Sequence, residues 1–190
     1  TLFPYTTLFR SSIALLFASE GCNLVITARR EELLKEVKNE CEKKGVKVCY
    51  YAGDVRLEQT AKECVALALK EFGKIDILIN NAGIGKLIKL VDSTAEDYRE
   101  IMDTNVFSSF IFSKYAVEDM LKRKEGMIVF VSSVTGHVGH EDETIYTMTK
   151  FAQRGLSQAI DKELGAEGIK TCVMCPRASK TDFELGCGRT

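Results

Sequence analysis

The sequence predicts an α/β fold, a doubly wound parallel sheet with helices on both faces. Three observations carry that prediction. Short apolar runs of strand length alternate with longer amphipathic stretches along nearly the whole chain. The runs are continuously apolar rather than alternating, as in strands covered on both faces. Polar residues of unusual type fall just after these runs, and the crevice beyond the C-terminal strand ends is where open α/β sheets bind ligands.

The elements follow in order. Residues 13–21 (IALLFASEG) read as a first helix and residues 23–28 (NLVITA) as a strand. Residues 31–44 form a helix with Leu34, Val37 and Cys41 on one face and Gly45 as its stop. Residues 46–51 are the next strand. Residues 58–72 form a helix with Ala61, Val65, Ala68 and Phe72 inward, closed by Gly73. Residues 75–79 (IDILI) make a central strand. Ser93 and Glu96 have capping-box spacing, so a helix is expected to start there. A long helix covers about 106–124, a strand 127–131 (MIVFV), a helix 144–166 and a strand 169–174. With right-handed crossovers this series gives one Rossmann-like domain.

Composition narrows the function. The 190 residues are 45% hydrophobic and 28% charged, an ordinary globular balance. A net charge of -1 recommends neither nucleic acid nor an anionic membrane as partner. No apolar run approaches the roughly 20 residues that span a bilayer. Seven scattered cysteines, an odd number, suggest reduced thiols and a cytoplasmic protein. Cys172 and Cys175 form a C-x-x-C on the last strand. No second pair has metal-ligand spacing, so both are expected to be small core residues.

The first eleven residues fit poorly. A dinucleotide-binding fold opens with a strand and a glycine-rich turn that lets the backbone approach a pyrophosphate. Residues 1–11 (TLFPYTTLFRS) contain no glycine and match the translation of a common sequencing-adapter oligonucleotide. They are expected to be an artefact joined to residues 12–190, a partial domain lacking its first and last strands. Counted back from Ile13, the three glycines of such a turn would fall at Pro4, Leu8 and Arg10. The chain is therefore expected to bind a dinucleotide poorly.

The strongest chemical signal is Tyr146 and Lys150, a Y-x-x-x-K, with Ser133 thirteen positions earlier. At i and i+4 on a helix, Tyr146 and Lys150 share a face. A phenol with a pKa of about 10 is a weak base near neutrality. A cation at ~4 Å and an effective dielectric of about 20 supplies about 4 kcal/mol, enough to make it a usable proton donor and acceptor. Ser133 follows a buried strand. Asn80, Asn81, Ala82 and Gly83 (NNAG) follow the central strand. Asp54 and Val55 follow the strand before it, and Asn105 lies at the start of the long helix.

Taken together, these motifs resemble the short-chain dehydrogenase/reductase family in its single-domain branch, over about residues 13–183. The resemblance implies an oxidoreductase that interconverts a carbonyl and a secondary alcohol by hydride transfer. It implies Tyr146 as acid/base and Ser133 as hydrogen-bond donor to the substrate oxygen. Lys150 would tune Tyr146 and bind the nicotinamide ribose, and Asn105 would hold a water in a proton relay. Asp54 and Val55 would lie beside the adenine, and Asn81, Ala82 and Gly83 along the cofactor. Thr181 would stand near the nicotinamide, although Arg177 replaces the glycine usual in that loop.

Cofactor choice is argued from the end of the second strand. NAD-using sites place a carboxylate there, and here the strand ends at Ala28, followed by Arg29 and Arg30. A guanidinium at Arg29 suits a 2′-phosphate, which favours NADP(H) over NAD(H). The alternative is that both arginines are solvated residues opening a helix.

His137 and His140 read either as exposed loop residues or as substrate contacts. Phe107, Phe110 and Phe112 either give the two long helices a surface for homo-oligomer formation or belong to the core. Two other functions remain: a nucleotide-sugar epimerase or dehydratase, which shares Y-x-x-x-K but has NNAG against it, and a non-catalytic dinucleotide-binding or scaffold protein of the same fold. No sequence feature names the small-molecule substrate.

Overall fold

The computed structural model describes residues 2–4 and 7–177. Among the described residues, six parallel strands form one sheet: β1 (Leu2–Pro4), β2 (Leu24–Ala28), β3 (Val48–Ala52), β4 (Ile77–Asn80), β5 (Gly126–Val131) and β6 (Ile169–Met174). Their order is β3-β2-β1-β4-β5-β6, so the direction of winding reverses between β1 and β4. A crevice at such a reversal, beyond the C-terminal strand ends, is the ligand position of doubly wound sheets. The helices are α1 (Thr7–Ser19), α2 (Glu31–Glu42), α3 (Glu58–Phe72), α4 (Ala95–Met102), α5 (Ser108–Arg123) and α6 (Thr144–Leu164).

The expected continuous apolar strands feed two cores. Val25, Leu78, Ile128 and Phe130 pack with α3 and α5 on one face. Their strand neighbours Leu24, Ile26, Ile79, Val129 and Val131 pack with α1 and α2 on the other. Side chains alternate between faces along a strand, so a strand with both faces covered must be apolar at every position. Leu34, Val37 and Cys41 of α2 and Ala61, Val65 and Ala68 of α3 are buried as expected, and Gly73 caps α3 with a left-handed φ of 76°.

Four expectations need correction. The sheet does not lack its first strand: Leu2–Pro4 lies between β2 and β4, with Leu2 opposite both Val25 and Leu78. Without it two strand edges would face each other with unpaired backbone groups inside the sheet. The first helix accordingly starts at Thr7, six residues before the predicted start. The capping box is formed by Thr94 and Asp97, not by Ser93 and Glu96. Both pairs satisfy the spacing, but Ser93 turns its hydroxyl back to Leu90 O and closes a short 3-10 turn. Finally, Cys172 is exposed and Cys175 only partly buried, because β6 ends the strand order and one side of it is open among the described residues. Both remain free thiols, and no metal-ligating cluster occurs among the described residues.

The long helix beginning near residue 106 is interrupted at its start. Residues Asp103–Phe107 wind as a π-helical turn linking α4 to α5. A π turn shifts the hydrogen-bond ladder by one residue and leaves backbone carbonyls open to side chains. Of the three phenylalanines, Phe112 is fully buried, while Phe107 and Phe110 are exposed.

Two glycines give a stability test. Gly168 has a φ of 86°, and a Cβ there would lie 2.0 Å from Lys124 O. Gly168→Ala is expected to destabilise the fold by at least about 2 kcal/mol. Gly155, inside α6, has nothing within 4 Å of an added Cβ. Gly155→Ala is expected to leave stability unchanged or raise it by up to about 1 kcal/mol. Denaturant unfolding of the two variants beside the parent chain measures both values.

Candidate active site

The ends of β2, β3 and β4 open into one cleft. Its lining includes Ala28 and Arg29 after β2, Asp54 and Val55 after β3, and Ala82 and Gly83 after β4. These residues were singled out from separate places in the sequence, and the parallel register brings them together. The β2 and β3 ends are fastened by Gly53 N donating to Ala28 O at 2.9 Å and Thr27 Oγ1 donating to Tyr51 O at 2.7 Å.

The same cleft contains a residue that the sequence reading passed over. Arg56 donates through Nε and Nη2 to Asp54 Oδ2 at 2.9 and 2.6 Å. The Arg56 guanidinium therefore holds the Asp54 carboxyl below its ordinary range, against the opposing effect of partial burial. The cleft thus carries two guanidinium groups, Arg29 and Arg56, and only one of them is committed to Asp54. The only sequence signal for Arg56 was its position two residues after Asp54, which has no fixed meaning by itself.

On the other side of the reversal lies the polar cluster of α6. Lys150 is 4% exposed, although its ammonium is costly to bury. Its Nζ donates to Val131 O and to Gln153 Oε1, each at 3.0 Å, and stands 5.4 Å from the centre of the Tyr146 ring. The predicted i, i+4 pair on one helix face is therefore observed. Gly83 approaches from β4, where an added Cβ would sit 3.3 Å from Asn105 Oδ1 and 3.6 Å from Lys150 Nζ. Glycine permits the close approach of the NNAG turn to both residues.

Asn105 sits fully buried in the π turn. Its Oδ1 accepts from Ile84 N at 2.8 Å, and its Nδ2 donates to Ile84 O at 2.8 Å and to Thr149 Oγ1 at 3.0 Å. The side chain is a clamp on the backbone just after NNAG, joining it to α6. Its backbone carbonyl accepts from Ser109 Oγ at 2.8 Å and from Gln153 Nε2 at 2.9 Å.

Ser133 follows β5. It shares a 2.9 Å hydrogen bond with Thr135 Oγ1, and its Oγ accepts from Thr135 N at 3.2 Å. Thr135 in turn donates to Glu143, buried just before α6, at 3.3 Å. The loop is fastened to α6 at two points: Ser132 Oγ donates to Lys150 O at 3.0 Å, and Arg154 donates to Gly136 O at 2.6 Å. Gly136 admits this packing because a Cβ there would lie 2.6 Å from Ser132 Oγ. His137 and His140 are exposed. Thr181 lies outside the described residues.

The arrangement suits a dinucleotide in one respect and departs from it in another. Asn81 Nδ2 and Asn80 Oδ1 are buried at the β4 end without a hydrogen-bond partner. Buried polar groups rarely stay unpaired, so these atoms are suited to a ligand in the crevice. The departure is at the junction of β1 and α1, where the chain has no glycine before Gly21. Leu8 and Arg10, two of the three positions counted back from Ile13, lie within the helix itself.

Comparison with known proteins agrees with this geometry. The family model described as short chain dehydrogenase matches residues 11–186. A diacetyl reductase [(S)-acetoin forming] of Staphylococcus epidermidis is 32% identical, over 90% of this chain and 67% of its own length. The 3-oxoacyl-[acyl-carrier-protein] reductase FabG of Chlamydia muridarum is 33% identical, over 92% of this chain and 71% of its own. The chain thus spans about two thirds of the length of these relatives. Among solved structures, NAD+-bound xylitol dehydrogenase superposes with a TM-score of 0.88 at 26% identity, covering 93% of this chain and 68% of that one. An alcohol dehydrogenase of Thermococcus sibiricus complexed with 5-hydroxy-NADP shares the fold, with a TM-score of 0.90 at 23% identity over 98% of this chain and 80% of that one. By its matched residues, its relatives and its fold, the chain belongs to the short-chain dehydrogenase family of oxidoreductases.

Proposed function

We propose that this chain is the cofactor-binding and catalytic part of an NADP(H)-dependent oxidoreductase that interconverts a carbonyl and a secondary alcohol. The observation that carries this reading is the buried Lys150 ammonium held beside Tyr146 and close to Gly83 of the NNAG turn. The nicotinamide, when bound, would supply or accept the hydride. The chain's own residues do the rest.

Tyr146 gives its phenolic proton to the substrate oxygen in reduction and takes it back in oxidation. Lys150, a fixed cation near the ring, favours the phenolate and so lowers the work of that transfer. Ser133 donates a hydrogen bond to the same oxygen as charge develops there. Its hydroxyl is turned to Thr135, so engaging substrate means exchanging that bond. Asn105 fixes the NNAG backbone against α6 and orients the wall of the site. Asn105 would also hold a water in the proton relay, which means exchanging one of the hydrogen bonds that its side chain and backbone carbonyl now make.

The residues that would hold the cofactor are Asp54 and Val55 at the adenine, Asn81, Ala82 and Gly83 along the crevice, and Tyr146 and Lys150 at the nicotinamide ribose. Arg29 would pair a 2′-phosphate, supported by the lack of any carboxylate at the end of β2. Thr181 completes the proposed set. The free cysteines support a cytoplasmic setting, and no helix among the described residues is long and apolar enough to cross a membrane. Phe107 in the π turn and Phe110 on α5, with Met148 and Phe151 on α6, present apolar surface that suits a second copy of the chain.

A second reading is a relative that binds without turning over. It is favoured by one observation, the missing glycines before α1. The epimerase or dehydratase reading has no such support, and a small ketone or a 3-oxoacyl thioester fits the relatives better.

Two outcomes are expected. Tyr146→Phe lowers kcat for NADPH-dependent ketone reduction by at least about 100-fold while leaving NADPH binding within a few fold. Unchanged turnover in that variant contradicts the assigned acid/base. Arg29→Ala raises the KM for NADPH by about tenfold or more and changes that for NADH little, a loss of roughly 1.4 kcal/mol for the phosphate. Steady-state kinetics with both cofactors reads the difference, and equal effects on the two contradict the phosphate role.

A further inference from the structure

Gln153 is a fully buried carboxamide one helical turn after Lys150. A carboxamide has an oxygen that accepts and a nitrogen that donates twice. Here both N–H groups and one lone pair of the oxygen are used: Oε1 accepts from Lys150 Nζ at 3.0 Å, and Nε2 donates to Asn105 O at 2.9 Å and Ser109 Oγ at 3.0 Å. Reversing the amide would set its N–H groups against the lysine and its oxygen against the Asn105 carbonyl, so the network fixes its orientation. The link between Asn105 O and Ser109 already exists without it, through Ser109 Oγ at 2.8 Å. What Gln153 adds is an acceptor for a buried ammonium, tied to the π turn.

We propose that Gln153 is a positioning residue whose carboxamide holds the Lys150 ammonium in place beside Tyr146 and thereby sets how readily Tyr146 gives up its proton. The proposal rests on the reading of Tyr146 and Lys150 as the acid/base pair. The ammonium is held from two directions, by Val131 O at the end of β5 and by Gln153 from below on α6. Hydrogen bonds accepted by neutral carbonyls favour the charged form of a lysine, offsetting the cost of burial. A lysine held charged and near a phenol stabilises phenolate, and a lysine left loose or neutral does not.

Other ionisable groups surround this part of α6. Glu143 accepts from Thr135, and Arg154 donates to Gly136 O. Asp97 and Glu100 of α4 pair with Lys86. Asp103 of the π turn, His137 of the loop after β5, and Lys170 and Cys172 of β6 are exposed. Glu167, after α6, faces Lys124.

The test is a pH titration of tyrosinate absorbance in the ligand-free chain, with the Tyr146→Phe titration subtracted so that Tyr146 alone is read. In Gln153→Met, which keeps the size and removes the acceptor, the Tyr146 midpoint is expected to move to higher pH by about one unit. Gln153→Leu, of similar size and also without an acceptor, is expected to move the midpoint the same way. Should Gln153→Met not fold, as judged by thermal unfolding, Gln153→Leu decides alone. A midpoint unchanged in the folded variants, with Tyr146 of the parent chain ionising below the ordinary value of about 10, overturns the role of Gln153 and leaves the acid/base pair standing. A parent-chain midpoint at the ordinary value overturns both.

Discussion

Burial of one positive charge organises the site. Lys150 sits almost out of water, and an ammonium moved out of water without acceptors would give up its proton instead. The sheet and α6 itself supply those acceptors, and the π turn holds one of them in place. Val131 O becomes available where β5 ends. Gln153 reaches Lys150 from one side and the Asn105 carbonyl, opened by the π turn, from the other. Gly83 and Gly136 let the β4 and β5 loops close on the same short stretch of α6. A Cβ added at Gly136 would overlap Ser132 Oγ and press on Lys150 O, pushing that loop away from α6.

The cofactor half of the cleft obeys a different electrostatic rule. It is open, it contains two guanidinium groups, and the Asp54 carboxylate in its lining is neutralised locally by Arg56. Glu100 also lines it but is paired with Lys86. The remaining cation, Arg29, stands where the backbone of β2 ends. Such a cleft favours an anionic ligand, and the buried unpaired amide of Asn81 next to it favours a polar one. The β1–α1 junction works against this, because the helix begins at Thr7 without the glycines that would admit a pyrophosphate.

Much of this was legible in the sequence. Apolar runs such as IDILI and MIVFV located strands, since a strand buried on both faces must be apolar throughout. Gly73 marked the end of α3, where a left-handed cap is needed. Tyr146, Lys150 and the NNAG turn were visible because their spacing is local. Other features depend on contacts that spacing does not encode. Gln153 lies 48 residues from Asn105, and nothing in its neighbourhood distinguishes a buried glutamine from a solvated one. The π turn has no sequence mark. Ser93 and Thr94 both head an acceptable capping box, and only the preceding 3-10 turn selects the second. The exposure of Cys172 follows from the place of β6 at the edge of the sheet, which is a property of topology. Leu2–Pro4 was discounted because its composition was foreign to the expected turn, yet the opening between β2 and β4 accepts any extended backbone that can pair.

The most direct measurement is a crystal structure of this chain with NADP+ bound. The account predicts the dinucleotide across the C-terminal strand ends, with the 2′-phosphate at Arg29, the Asn81 amide paired, and the nicotinamide ribose against Tyr146 and Lys150. A cofactor bound elsewhere, or absent at saturating concentration, would contradict the central claim that the buried Lys150 charge and the strand-end cleft form one site for hydride chemistry.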